Sequence, residues 1–131
     1  MEEKKLSVLY VDDDPFLLDM YGLKFTKNGY DITTLPSATD ALKKIREGTL
    51  KPDILLLDIV MPVMDGLVLL TNIRKENLLK DAVVIMLTNQ GGASDIDTAK
   101  ALGAAGYIVK ATSIPSEVVE KVKKIYNNVK N

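Results

Sequence analysis

Short apolar runs alternate with helical patterns along the chain, and this alternation constrains the fold more than any other feature. The runs at residues 8–11, 54–57 and 83–87 are apolar at every position. A continuous run of this length predicts a strand covered on both faces, whereas strict alternation would indicate one solvated face. Two further runs, at 30–35 and 107–109, bring the number of predicted strands to five.

Apolar residues recur at helical spacing between these strands. The stripes are Leu17, Tyr21 and Phe25; Ala38, Leu42 and Ile45; and Val118, Val122, Ile125 and Val129. The signals for helix ends are Pro15 behind Asp14, Ser37, Ser94 with Asp97 three residues later, and Gly48. Five strands, each followed by a helix, predict an α/β fold with a parallel sheet between helices. The sequence shows no repeat or linker, so residues 1–131 are expected to form a single domain.

The composition excludes several kinds of chemistry. The 131 residues include no cysteine and no histidine, which rules out disulfides, thiolate or imidazole metal sites and histidine-based triads. A formal net charge of −1 gives no global attraction to nucleic acid or to an anionic membrane. The first apolar run stops at Asp12 and is too short for a signal peptide or a membrane span, so we expect a cytoplasmic protein.

Polar side chains stand where four of the predicted strands end. Asp12 and Asp13 follow the first strand, Asp58 follows the third, Thr88 ends the fourth and Lys110 follows the fifth. Ligands of open parallel sheets bind outside the carboxyl ends of the strands, so we expect these side chains to lie close together. Clustered carboxylates repel one another. Mg²⁺ is the natural compensating cation where only oxygen ligands are present.

This arrangement predicts phosphoryl chemistry. A carboxylate beside Mg²⁺ can act as a nucleophile and form an acyl phosphate. Lys110 and Mg²⁺ would then neutralise charge on the phosphoryl oxygens, and the Thr88 hydroxyl would donate a hydrogen bond to one of them.

Four motifs carry a resemblance to a known family. They are Val-Asp-Asp-Asp-Pro at 11–15, Leu-Asp-Ile-Val-Met-Pro-Val-Met-Asp-Gly at 57–66, Leu-Thr at 87–88 and Gly-Tyr-Ile-Val-Lys at 106–110. In this order, on predicted strand ends, they resemble the receiver domains of two-component response regulators over about residues 6–128. The resemblance implies a flavodoxin-like (βα)5 fold with five parallel strands in the order 2-1-3-4-5.

The resemblance also implies how the acidic site works. Asp58 would accept the phosphoryl group and would be a ligand of Mg²⁺. Asp13 would bind the ion directly, Asp12 mainly through water, and Val60 through its backbone carbonyl.

A switch and its partners are implied in the same way. Thr88 and Lys110 would bind the phosphoryl group, and Tyr107 would turn inward as Thr88 moves toward it. The phosphoryl donor would be a histidine kinase or a histidine phosphotransfer protein. The altered surface would bind a downstream effector or a second receiver, in a domain that is not itself an enzyme and contacts neither nucleic acid nor membrane.

Three positions depart from the family pattern or bear on its chemistry. Ala111 follows Lys110 where the family usually has proline, so we expect a trans peptide and a shifted loop. Asn89 stands where a small residue is typical. Val60 cannot orient a water molecule as a polar side chain could, so we expect a long-lived aspartyl phosphate.

Two other functions compete with this interpretation. Asp12-x-Asp14 matches half of the haloacid-dehalogenase phosphatase signature, although Phe16 stands where that family expects threonine or valine. In such an enzyme the nucleophile would be Asp12. The second alternative is a receiver-like interaction module that no longer accepts phosphate. Only the two departures at Ala111 and Asn89 support it.

Overall fold

The computed structural model describes residues 5–89, 92–110 and 113–130, which alternate regularly between strands and helices. The strands are β1 (Ser7–Val11), β2 (Asp31–Leu35), β3 (Ile54–Leu57), β4 (Val83–Thr88) and β5 (Gly106–Val109). The helices are α1 (Pro15–Lys27), α2 (Ala38–Arg46), α3 (Gly66–Lys75), α4 (Ala93–Ala101) and α5 (Pro115–Lys130). All five predicted strands are therefore confirmed to within one residue at each end. No helix in these three ranges is both long and apolar enough to cross a membrane.

The five strands form one parallel sheet in the order β2-β1-β3-β4-β5. This order confirms the predicted flavodoxin-like fold. Every residue of β3 and β4 is buried, as expected for continuous apolar runs at the centre of a sheet with helices on both faces.

Successive side chains of a strand point to opposite faces of the sheet, so they pack in two separate hydrophobic cores. Leu9 and Val11 of β1 pack in the core that includes α2 and α3, whereas Val8 and Tyr10 pack in the core that includes α1 and α5. Tyr10 thus lies on the same face of the sheet as Asp12, two residues further along the chain.

The helix ends follow the predicted signals in three of four cases. The Asp14 side chain accepts hydrogen bonds from the N–H groups of the first turn of α1, and Ser37 accepts one at the start of α2. Gly48 follows α2 with a φ of +78°, a conformation that glycine adopts without a steric penalty.

One expectation about a helix start is wrong. α4 begins at Ala93 with Gly92 as its N-cap, so Ser94 does not form a capping box with Asp97. Glycine is among the favoured N-cap residues, and Gly92 has the extended backbone conformation of a cap without a side-chain hydrogen bond. At the other end of the chain, α5 carries the predicted apolar stripe, of which Val118 and Val122 are buried, Ile125 is partly buried and Val129 is 53% exposed.

Candidate functional site

The sheet brings three aspartates together at its carboxyl edge. Asp12 directly follows β1, and its N–H donates to the carbonyl of Leu35, 3.2 Å away. Asp58 directly follows β3, and its N–H donates to the carbonyl of Val11 at 3.0 Å. These bonds extend the backbone pairing of the sheet by one residue. As a result, one carboxylate oxygen each of Asp12, Asp13 and Asp58 lie within 4.8 Å of one another.

Asp12 is fully buried and surrounded by donors. Its Oδ2 accepts hydrogen bonds from the Tyr10 hydroxyl and from Lys110 Nζ, the latter at 2.7 Å. Its Oδ1 accepts from the backbone N–H of Asp14 at 3.0 Å. Asp13, by contrast, is exposed, and within the described ranges no side chain or backbone group donates to its carboxylate. The Asp12 carboxylate is therefore already occupied by donors, whereas the Asp13 carboxylate is accessible to a ligand from solvent.

Asp58 is only 6% exposed. Its Oδ1 accepts from the N–H of Ile59 at 2.9 Å, and its Oδ2 lies 3.7 Å from Lys110 Nζ. Burial raises the pKa of Asp58 to about 6; the charge of Lys110 opposes this effect, and the charge of Asp12 adds to it. Hydrogen bonds from Thr88 and Ile59 also oppose the rise of the pKa, so the value of about 6 is the net result. The Asp58 carboxyl group is therefore mostly ionised only when the pH is above about 6.

Thr88 and Lys110 reach the site from the last two strands. Thr88 is the final residue of β4 and pairs with Val109 of β5, so Lys110 emerges beside it. Both side chains are buried. Tyr107 of β5 is half-buried and packs against the core on the α2 and α3 side. Burial raises its pKa, and the charges of Asp95 and Asp58 raise it further.

A tight loop joins β3 to α3 beside the acceptor carboxyl. The N–H of Gly66 donates to the Ile59 carbonyl at 2.8 Å. A Cβ at this position would lie 1.9 Å from the Asp58 carbonyl oxygen, so only glycine fits. Val60, two residues beyond Asp58, is 76% exposed. Its side chain therefore stands at the mouth of the site.

A cleft of about 500 Å³ is lined by the three aspartates, Val60, Thr88 and Lys110 together with Asn89, whose exposed side chain stands at its rim. The expected trans peptide between Lys110 and Ala111 concerns a residue outside the described ranges. The donor set fits Mg²⁺, because it consists of carboxylate oxygens and contains no nitrogen or sulfur ligand. The structure thus brings together the five predicted side chains of Asp12, Asp13, Asp58, Thr88 and Lys110.

Tyr10 is the residue that sequence reasoning missed. Its place in the continuous apolar run of β1 indicates a core side chain and by itself predicts no role for the hydroxyl. The available signal was its spacing, because residues i and i+2 of a strand face the same side. A tyrosine two positions before a site aspartate can therefore point its hydroxyl at that aspartate.

Comparison with known proteins places this geometry in a family. The family model for the response regulator receiver domain matches residues 8–123. The alkaline phosphatase synthesis transcriptional regulatory protein PhoP of Bacillus subtilis is 33% identical over 118 residues, which cover 90% of this chain and 47% of that protein. A protein-glutamate methylesterase/protein-glutamine glutaminase of Halalkalibacterium halodurans is 36% identical over 123 residues, or 92% of this chain and 35% of that protein. The chain therefore spans less than half of either relative.

Solved structures agree with this assignment. A CheY-like response regulator receiver domain protein from Methanospirillum hungatei has a TM-score of 0.85 and 27% identity, with 95% of this chain and 96% of that chain covered. The fold, the acidic edge and the matches together define a signalling domain of two-component systems. The chain belongs to the response regulator receiver domain family.

Proposed function

We propose that Asp58 is the phosphoacceptor of this receiver domain. The observation that carries the proposal is the position of its carboxylate, which is buried beside the ammonium group of Lys110 and the hydroxyl of Thr88 at the mouth of an acidic cleft. A nucleophile in this place is oriented by the Ile59 N–H and has a counter-charge beside it. Positioning and charge neutralisation are what phosphoryl transfer requires of a protein.

The transfer proceeds by displacement at phosphorus. An Asp58 carboxylate oxygen forms a bond to the phosphorus of the donor, and the bond from phosphorus to the leaving atom breaks, so that the leaving group takes its electron pair. Lys110 lies 3.7 Å from Asp58 Oδ2 and is placed to neutralise the transferred oxygens. The Thr88 hydroxyl is the second donor available to them. The donor class is a phosphohistidine on a kinase or phosphotransfer protein.

We propose that Mg²⁺ is the cofactor. When bound, the ion supplies positive charge beside the phosphoryl oxygens. Asp13 is the direct ligand, because its carboxylate is exposed and receives no hydrogen bond within the described ranges. Asp12 acts through water, because three donors already occupy its carboxylate. Asp58 and the Val60 carbonyl complete the set.

The proposed switch passes from Thr88 to Tyr107. Thr88 is drawn toward the phosphorylated Asp58, and the half-buried Tyr107 moves inward into the space that this opens. The repacked surface then binds an effector or a second receiver. We further propose that the domain itself contacts no nucleic acid and catalyses no reaction of its own on a second substrate. The methylesterase name belongs to a relative of which this chain matches 35%.

Incubation with acetyl phosphate and Mg²⁺, followed by intact-mass measurement and site mapping, tests the proposal. The expected product carries one phosphoryl group on Asp58. The modification disappears in Asp58→Asn and in the presence of a chelator, and it persists in Asp19→Asn, a matched change at an exposed aspartate of α1. Modification of Asp12 would instead support the phosphatase alternative. The burial of Asp12 and its three donors speak against that outcome.

A folded protein that binds Mg²⁺ but accepts no phosphoryl group from any donor would overturn the proposal. The phosphate-independent interaction module would then be the better interpretation, and it would be tested by binding to a partner receiver with and without acetyl phosphate.

A further inference from the structure

A buried tyrosine hydroxyl reaches into the acidic site from the core. Tyr10 lies inside β1, is fully buried, and packs edge-on against Tyr21 with ring centroids 5.7 Å apart. A phenylalanine would fill the same space. The hydroxyl instead donates a hydrogen bond to Asp12 Oδ2.

The same oxygen of Asp12 also accepts from Lys110. The ammonium nitrogen lies 2.7 Å from Asp12 Oδ2 but 3.7 Å from Asp58 Oδ2, so Lys110 is bonded to the aspartate that does not accept the phosphoryl group. A shift of Lys110 toward a phosphoryl group on Asp58 would lengthen its 2.7 Å contact with Asp12. That step removes a donor from a buried carboxylate, which is costly unless another donor remains.

We propose that Tyr10 is a positioning residue that holds Asp12 Oδ2 while Lys110 moves from Asp12 toward the phosphoryl group on Asp58. The inference rests on the proposed function of Asp58. Because the Tyr10 hydroxyl already donates to the oxygen that Lys110 leaves, that oxygen keeps one donor throughout the transfer. Without the hydroxyl, Asp12 has Lys110 as the only side chain donating to Oδ2 within the described ranges, and it retains the lysine more tightly.

Tyr10→Phe removes the hydroxyl and keeps the ring. Tyr21→Phe is the matched control, since it removes a hydroxyl from the neighbouring buried ring, which donates no hydrogen bond to Asp12 in the described structure. The rate of phosphorylation is measured against acetyl phosphate concentration at saturating Mg²⁺. In Tyr10→Phe the maximal rate is expected to fall about ten-fold or more, as for the loss of a hydrogen bond to a charged group. The apparent KM for acetyl phosphate, the Mg²⁺ affinity and the Tyr21→Phe rates are expected to stay close to those of the unsubstituted protein.

A second readout needs no phosphoryl transfer. Exchange of the Lys110 ammonium protons with water is followed by NMR in the metal-free protein. In Tyr10→Phe this exchange is expected to slow, because Asp12 holds the lysine more tightly, and in Tyr21→Phe it is expected to be unchanged. A general loss of packing would speed the exchange instead of slowing it.

The outcomes separate this inference from the proposed function. Absence of phosphorylation in the unsubstituted protein would overturn the role of Asp58, and the role of Tyr10 with it. If the unsubstituted protein and the Tyr10→Phe variant are both phosphorylated on Asp58 at equal maximal rates, only the role of Tyr10 is overturned. If Tyr10→Phe does not fold, the unsubstituted protein is loaded with Mg²⁺ and beryllofluoride. A Tyr10 hydroxyl proton that stays protected from exchange then supports the inference, and loss of that protection refutes it.

Discussion

Replacement of Asp58 by asparagine is expected to stabilise the metal-free protein at neutral pH. The change keeps the shape of the side chain and removes a charge that the fold disfavours. Burial raises the pKa of Asp58 from 3.8 to about 6, even with Lys110 and two hydrogen bonds acting in the opposite direction. The ionised carboxylate is therefore less stable in the folded protein than in the unfolded chain.

The magnitude follows from this difference in pKa. A raised pKa in the folded state means that the native protein holds the proton more tightly, so the contribution of Asp58 to stability decreases as the pH rises from about 4 through about 6. Proton linkage between these values gives a destabilisation of about 3 kcal/mol at pH 7.5 and about 1 kcal/mol at pH 4.5. The buried amide carries a desolvation cost of its own, so we expect a net gain of about 1–3 kcal/mol for Asp58→Asn at pH 7.5.

Urea denaturation followed by circular dichroism at both pH values, in the presence of a chelator, measures the effect. Asp19→Asn is the control for the loss of a surface carboxylate. The stabilisation should shrink at pH 4.5. It should also shrink when Mg²⁺ is added at pH 7.5, because the ion stabilises the unsubstituted protein. A stabilisation that is absent at pH 7.5, or that is equally large at pH 4.5, would refute the assignment of the cost to the Asp58 charge.

Four further predictions concern the loop after β3 and the pH dependence of the site. Val60→Asn should shorten the lifetime of the aspartyl phosphate by orienting a water molecule, and an unchanged decay rate of the phosphoprotein would contradict this. Gly66→Ala should destabilise the fold by about 2–3 kcal/mol or more in urea denaturation, because its Cβ would overlap the Asp58 carbonyl oxygen. Val63 is 99% exposed at a φ of +68°, so Val63→Asn should raise the free energy of unfolding by about 0.5–1 kcal/mol; a loss of stability would argue against strain there. Finally, the rate of phosphorylation at low Mg²⁺ should fall as the pH drops below about 6, where Asp58 takes up a proton, and saturating Mg²⁺ should move the midpoint of the pH–rate profile to lower pH.

The sequence was sufficient to predict a sheet of five parallel strands, because fully apolar runs such as those of β3 and β4 alternate with helical patterns, whereas the strand order came from the resemblance to receiver domains. It was also sufficient to predict which side chains meet, because strand ends converge on one edge whatever the details of packing. The capping box predicted at Ser94 does not form because a serine near a helix start suits several positions, and Gly92 has the backbone conformation of the cap without contributing a side chain. Such a choice depends on backbone angles that propensity does not specify.

The bonds within the site were beyond prediction for a different reason. Lys110 lies closer to Asp12 than to Asp58, and the Tyr10 hydroxyl donates to the same oxygen of Asp12. These contacts depend on the side-chain conformations of residues in or next to three different strands. Sequence spacing brings these residues into one neighbourhood but does not decide which pairs form. The positive φ of Val63 likewise follows from the turn in which the Met64 N–H donates to the Pro62 carbonyl.

The charges of the site explain why a divalent cation and a phosphoryl group belong to the same cleft. Asp12, Asp13 and Asp58 carry three negative charges when ionised, and Lys110 carries one positive charge, so three minus one leaves two negative charges uncompensated. One Mg²⁺ would balance them. Phosphorylation then adds negative charge at Asp58 and gives Lys110 a stronger partner than Asp12. Beside the proposed switch of Thr88 and Tyr107, phosphorylation would thus redistribute a single ammonium group among anions, and by our proposal the Tyr10 hydroxyl sets how easily Asp12 releases it.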